Sequence, residues 1–173
     1  MADTPTKSSR SYSSIDSVLN QIIELADIGK FQEALSLAET SEFSRDAKLI
    51  NARGVCLLRS SRSKEAVSLY RSLVIAPGIA QLRPDLPVIY YTNFCLALLM
   101  EGQIRGCRET MFEIEDQLHP SVLKLRDVFN TWHRSLNFLE KLNWALGGEP
   151  TRPFTLPDPI GELTDPARFQ HQG

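Results

Sequence analysis

The sequence predicts an all-α fold, a stack of antiparallel helical hairpins with about seven helices, and three observations predict it. Apolar residues recur at helical spacing almost without interruption from Ile15 to Leu146. The hinges that interrupt this pattern are a few residues long, and short connections force consecutive helices to lie antiparallel. No segment combines sustained alternation with β-branched enrichment, so no sheet is expected.

A chain of 173 residues with 42% hydrophobic and 23% charged residues suits one soluble domain with a substantial core. A net charge of −2 gives no basic face for nucleic acid. No apolar run reaches the length of a membrane span, roughly 18 residues. The opening MADTPTKSSRSYSS lacks the apolar segment of a secretory signal and reads as a disordered lead-in. The chain has 3 cysteines, an odd number whose spacing matches no zinc pattern, so a reducing cytoplasm is the expected location.

Val18, Ile22, Leu25 and Ala26 make the first apolar stripe, and Phe31, Leu35 and Ala38 the second, across the hinge Ile28-Gly29-Lys30. Ile50, Leu57 and Leu58 precede Val67, Tyr70, Leu73 and Val74 across Ser60-Ser61-Arg62. Tyr91, Phe94, Leu98 and Leu99 precede Ile104, Met111, Ile114 and Leu118 across Glu101-Gly102-Gln103. Aligning the hinges places Ile22, Gly54 and Cys95 in one slot of each first helix, and Ala34, Ala66 and Cys107 in one slot of each second helix. The two slots lie twelve positions apart in every unit. The longer step to the third unit comes from an insertion at 79–87, whose Pro84 and Pro87 disfavour helix.

In the middle unit Ile50-x2-Arg53-Gly54-x2-Leu57, then Ala66-x3-Tyr70, then Pro77 stand in the order of a known repeat. The chain resembles the tetratricopeptide repeat family, over units at about 15–43, 46–78 and 88–119. The outer units match less closely: Ile22 takes a place where the family prefers a small residue, and Cys95 and Cys107 take the small slots of the third. The resemblance implies a right-handed superhelical α-solenoid. In it Gly54 faces Ala66 where the helices of a hairpin approach, and Cys95 and Cys107 are buried neighbours.

Pro120 suits a helix start and Gly147-Gly148 its end, so 120–146 reads as one capping helix. Its stripe is Val122, Leu125, Phe129, Trp132, Leu136 and Leu139, with Phe138 and Trp144 projecting away from it, free to receive the tail or a second subunit. The tail, 147–173, is rich in proline and should be extended, either as a disordered C-terminus or as a segment that docks. Phe154, Leu156, Ile160, Leu163 and Phe169 give it apolar anchors suited to lying back on the repeats or docking on a partner.

No catalytic constellation stands out, and neither a metal nor a cofactor is implied. His119, His133 and His171 are scattered, and the glycines sit singly rather than in a phosphate-binding loop. Glu113, Glu115 and Asp116 read as a solvated face. The resemblance instead implies a concave groove lined by the first helices. Its positions fall on Leu19, Asn20 and Ile23; on Asn51, Val55, Leu58 and Arg59; and on Asn93, Leu96, Leu99 and Met100. The family's carboxylate clamp is absent, because Leu19, Ile23, Ala52 and Ile89 occupy its places. The asparagines offer both donor and acceptor to an extended backbone. The expected function is therefore a non-enzymatic protein-interaction module that binds an extended or amphipathic segment. That segment belongs to an unidentified partner protein or is the chain's own tail. The alternative is a self-assembling scaffold that dimerises through the terminal helix or tail. The expected state is a monomer or weak homodimer, with neither nucleic acid nor membrane as partner.

Overall fold

The computed structural model describes residues 14–78, 81–149 and 151–169. The lead-in up to residue 13, Ile79, Ala80, Pro150 and the last four residues, His171 among them, lie outside the described residues. Among those described there are eight α-helices and no strand. They are α1 (Ile15–Asp27), α2 (Phe31–Thr40), α3 (Ala47–Arg59), α4 (Ser63–Val74), α5 (Val88–Met100), α6 (Ile104–Glu113), α7 (Pro120–Ser135) and α8 (Phe138–Ala145), followed by a short 3-10 turn at Pro166–Phe169.

Each of the first six helices packs against its neighbour in sequence, and α1, α3, α5 and α7 also touch one another in that order. The odd-numbered helices therefore form one layer. α5 is the most enclosed: Ile89 through Leu99 are all buried.

The three hairpin hinges close in the same way. Gly29, Ser61 and Gly102 all have positive φ, at 77°, 60° and 71°. The following residue donates back to the preceding helix: Lys30 N to Leu25 O, Arg62 N to Leu57 O and Gln103 N to Leu98 O, each at 2.8 Å. These are Schellman caps, in which a left-handed residue lets the chain reverse and satisfies the last helical carbonyls. The insertion is pinned by an isolated antiparallel bridge between Ile75 and Leu82.

The slot of Gly54 has a different occupant from the one expected. A Cβ at this position would lie 2.3 Å from Cζ of Tyr70, and the three nearest atoms all belong to that ring rather than to Ala66. Tyr70 is fully buried, with its hydroxyl donating to Asn51 O and Oδ1 at 3.1 and 3.0 Å. A fully buried aromatic thus lies where the glycine leaves room. Cys95 and Cys107 are buried and adjacent, with Cys95 Sγ 3.5 Å from Cys107 O, and both are free thiols.

The region expected as one capping helix is two, which brings the helix count to eight. Leu136 is extended (ψ 137°), and Asn137 starts α8 with a capping box. Asn137 Oδ1 accepts from Glu140 N at 2.9 Å, while Glu140 Oε2 accepts from Asn137 N at 2.7 Å. The break alters where the aromatic residues point. Trp144 folds back onto Trp132 instead of projecting away, with ring centroids 5.4 Å apart. Leu139, expected in the buried stripe, is 72% exposed, and Phe138 is 78% exposed. No helix among the described residues is long and apolar enough to cross a membrane.

Candidate peptide groove and the C-terminal segment

Residues 151–165 form neither helix nor strand, bend at Asp158-Pro159 and again from Gly161, and lie along the layer formed by α1, α3, α5 and α7. The segment begins on an aromatic anchor. Trp132 Nε1 donates to Arg152 O at 2.9 Å, and Phe154 stacks on Trp132 with centroids 4.5 Å apart. Phe129 meets Phe154 edge-on at 5.3 Å. Farther along, Phe154 and Leu156 face Leu99, Met100 and Ile104 across an open cavity of about 540 Å³.

The Asp158-Pro159 bond is cis, and Gly161 has a φ of 76°. At this turn Arg59 receives the main chain, its Nε donating to Ile160 O at 3.1 Å and its Nη2 to Gly161 O at 3.3 Å. Asp27 of α1 lies 3.7 Å from Arg59 Nη1 and orients the guanidinium. Gly161 is buried against Val55 and Leu58, so closely that a Cβ here would lie 3.2 Å from Val55 Cγ2.

Glu162 is held through both its backbone and its side chain. Asn93 Nδ2 donates to Glu162 O at 2.9 Å, and Glu162 N donates to Asn93 Oδ1 at 2.9 Å. Asn51 Nδ2 adds a second donor to the same carbonyl at 3.2 Å. The two asparagines are joined, Asn93 Nδ2 donating to Asn51 Oδ1 at 2.8 Å, and Tyr70 donates to Asn51 from beneath. The side-chain amides of Asn51 and Asn93, almost completely buried, thus spend their donors and acceptors within this network and on one peptide unit of the tail.

The Glu162 carboxylate accepts a short hydrogen bond from Ser121 Oγ and lies 3.6 Å from Lys124 Nζ. His119 caps α7, its Nδ1 accepting from Ser121 N at 3.2 Å. The proton of the neutral ring therefore sits on Nε2, which donates to Asp165 Oδ1 at 3.1 Å. The Ser121 hydroxyl is bonded to Glu162 and not to the imidazole, so His119 and Ser121 are arranged to grip the tail. Among the described residues no three His, Cys, Asp or Glu side chains converge on a metal site.

Of the residues assigned to the groove from sequence, Asn51, Val55, Leu58, Arg59, Asn93, Leu96, Leu99 and Met100 lie along the path of the tail. Leu19, Asn20 and Ile23 lie on α1, with Asn20 exposed and the other two half-buried. The hydrogen bonds of residues 151–165 to the helices run to α3, α5, α7 with its cap, and α8, and α1 enters only at its end, where Ala26 and Asp27 flank Pro159 and Ile160. Sequence reasoning missed His119, Ser121 and Lys124: His119 stands as one of three scattered histidines, and the other two carry no signal of their own. Only the path of the tail gives them a common target. Compared with known proteins, the chain matches no family model, no curated protein and no solved structure.

Proposed function

We propose that the chain is a non-enzymatic interaction module of tetratricopeptide-like architecture. Its concave face takes an extended peptide, and its own C-terminal segment occupies that face in cis. The observation that carries this reading is the two-way exchange between the Asn93 amide and the Glu162 main chain. Main-chain hydrogen bonds from fixed, buried side chains hold a bound segment by its backbone, which suits a peptide receptor. The repeated hairpin caps and the continuous layer of odd-numbered helices support the solenoid assignment.

The test uses full-length baits. Glu162→Lys places a cation beside Lys124 and loosens the tail, so it should capture partner proteins that the parent chain captures weakly. Adding Asn93→Leu to that bait should abolish the gain. Capture that is equal in all three would sink the groove reading.

One observation favours a second reading, self-assembly. α8 has no buried residue, and Phe138, Leu139, Leu142 and Leu146 form an exposed apolar row along it. Light scattering of the full chain decides this, since a monomer at high concentration leaves the row without that role.

A further inference from the structure

The segment in the groove fits it unevenly, and the unevenness describes a ligand. This inference rests on the reading of the concave face as a peptide site and specifies what that site selects. At Gly161-Glu162 the fit is close: the residual space between the tail and Asn93, Leu96, Ser121 and Lys124 is only about 20 Å³. On both sides it is loose. Beside Pro159 and Ile160, a cavity of about 340 Å³ opens against Ala26, Phe31 and Arg59. Beside Phe154 and Leu156, the cavity of about 540 Å³ remains along Leu99, Met100 and Ile104. Ile160 and Leu163, the apolar side chains flanking Gly161-Glu162, are only half-buried.

Each tight position imposes its own demand. Gly161 has a φ of 76°, a conformation that favours glycine, and methyl groups of Val55 and Leu58 would lie 3.2 to 3.4 Å from any added Cβ and would have to give way to it. Glu162 meets a hydroxyl donor and a lysine, Ser121 and Lys124, on α7. Asp165 meets the Nε2–H of His119, which is itself buried. Arg59 adds positive charge where the main chain turns. The side chains of Ile160 and Leu156 are half-buried and meet only open apolar contacts.

We propose that the groove is a receptor for a glycine-centred acidic segment of a partner protein, of the form apolar-Gly-Glu-apolar-x-Asp. The partner's apolar residue before the glycine is larger than isoleucine, and residues 160–165 act as a resident, under-filling competitor. The tail satisfies the polar requirements of the site and leaves Phe31 and Met100, at the two loose places, only half-buried. A ligand with an aromatic residue at the Ile160 position would fill the space beside Phe31, and so displace the tail by apolar burial without altering the Gly-Glu grip.

The probe is a fluorescent synthetic peptide of residues 155–166, TLPDPIGELTDP, titrated by anisotropy into three full-length proteins: the parent, Gly161→Val and Glu162→Lys. The two variants weaken the tail by different means, so the test survives if one of them misfolds. Both should bind the peptide at least tenfold more tightly than the parent. Replacing the peptide's isoleucine with phenylalanine should tighten binding about threefold or more. Replacing its glycine with valine, or its glutamate with glutamine, should weaken binding at least tenfold.

Hydrogen exchange on the same proteins separates the possible failures. If the amides of Gly161 and Glu162 in the parent exchange at free-chain rates, the cis occupancy, and with it the proposed function, is wrong. If they are protected in the parent and released in the variants, but the peptides bind without discrimination or not at all, only the ligand specification is overturned. A parent chain that is dimeric by light scattering, and becomes monomeric on Gly161→Val, assigns the groove to the tail of a second copy and overturns the partner proposal.

Discussion

Asn93 and Glu162, far apart in sequence, exchange two hydrogen bonds of 2.9 Å each, with the Asn93 side-chain amide pairing to the Glu162 main chain as a neighbouring strand would. Asn93 is fully buried and also donates to Asn51. Asn93→Ala removes both bonds, leaves the Glu162 amide without its acceptor and leaves Asn51 Oδ1 with only the Tyr70 hydroxyl as donor. The expected loss is about 3 kcal/mol of stability. In hydrogen exchange the amide of Glu162 should lose protection well before the amides of α3 and α5. Equal loss across all three would mean that the tail and helices open as one unit.

Gly54 and Tyr70 form the second pair whose relationship decides a phenotype. A methyl group at position 54 would overlap the tyrosine ring, whose nearest atoms would lie 2.3 to 2.6 Å away. Gly54→Ala should therefore cost about 3 kcal/mol or more in chemical denaturation, despite the higher helix propensity of alanine. Tyr70→Leu costs stability by itself, through the lost hydroxyl bonds and the cavity. Combined with Gly54→Ala it should cost less than the sum, because the smaller side chain vacates the overlap. Strict additivity would show that the ring is not what the glycine accommodates.

This pair marks where the sequence is legible and where it stops. The hairpins are readable because period 3.6 and short hinges are local properties, and the twelve-residue interval identifies Gly54 as a slot needing a small residue. Which side chain fills that slot depends on the reach of Tyr70, one turn beyond Ala66, and spacing alone does not encode reach. The break at Leu136 did have a signal, the Asn137-x-x-Glu140 capping box, but the apolar stripe running across it outweighed that signal. The asparagines of α3 and α5 were legible as backbone ligands through the repeat pattern. His119, Ser121 and Lys124 were not, because their role exists only once a distant segment has been laid against α7.

Ser61 takes the left-handed hinge position that Gly29 and Gly102 occupy in the other hairpins, at a φ of 60°. A left-handed conformation costs a residue with a Cβ about 1 kcal/mol. Ser61→Gly should relieve that strain, partly offset by the greater freedom of glycine in the unfolded chain. The net expectation is a rise in Tm of about 1–3 °C, with the sum of folding contacts unchanged. A fall in Tm would mean that the hinge depends on the serine side chain.

The stacked pair Trp132 and Phe154 offers an optical readout of the tail's first anchor. Trp132 is buried, and its indole N–H donates to Arg152. Phe154→Ala removes the stacking partner and exposes one face of the indole. The tryptophan emission should shift to the red, with a stability loss of about 3 kcal/mol. Trp144 also contributes to the emission, so the shift is read against Trp144→Phe, in which Trp132 reports alone. An unshifted spectrum in that background would place Phe154 elsewhere in solution.

The buried thiols make stability fall at alkaline pH. Burial pushes Cys56 up to about 11 from an ordinary value of 9.0, against the opposing pull of Arg59. Cys107 is likewise raised, first by burial and then by its hydrogen bond with Cys95. A folded thiol therefore keeps its proton at a pH where the unfolded thiol has lost it, and ionisation draws the equilibrium toward the unfolded chain. The contribution is fully present below about pH 9 and is lost as pH rises toward 11, amounting to about 2–3 kcal/mol for Cys56 at one unit of pH per 1.4 kcal/mol. Urea titrations at intervals across this range should show a shallower decline for Cys56→Ala than for the parent, whatever the offset of the variant at neutral pH. Tyr70, raised by its own burial, adds a further decline above pH 10 that both proteins share. Parallel curves for variant and parent would mean that Cys56 ionises as readily in the folded chain as in the unfolded one.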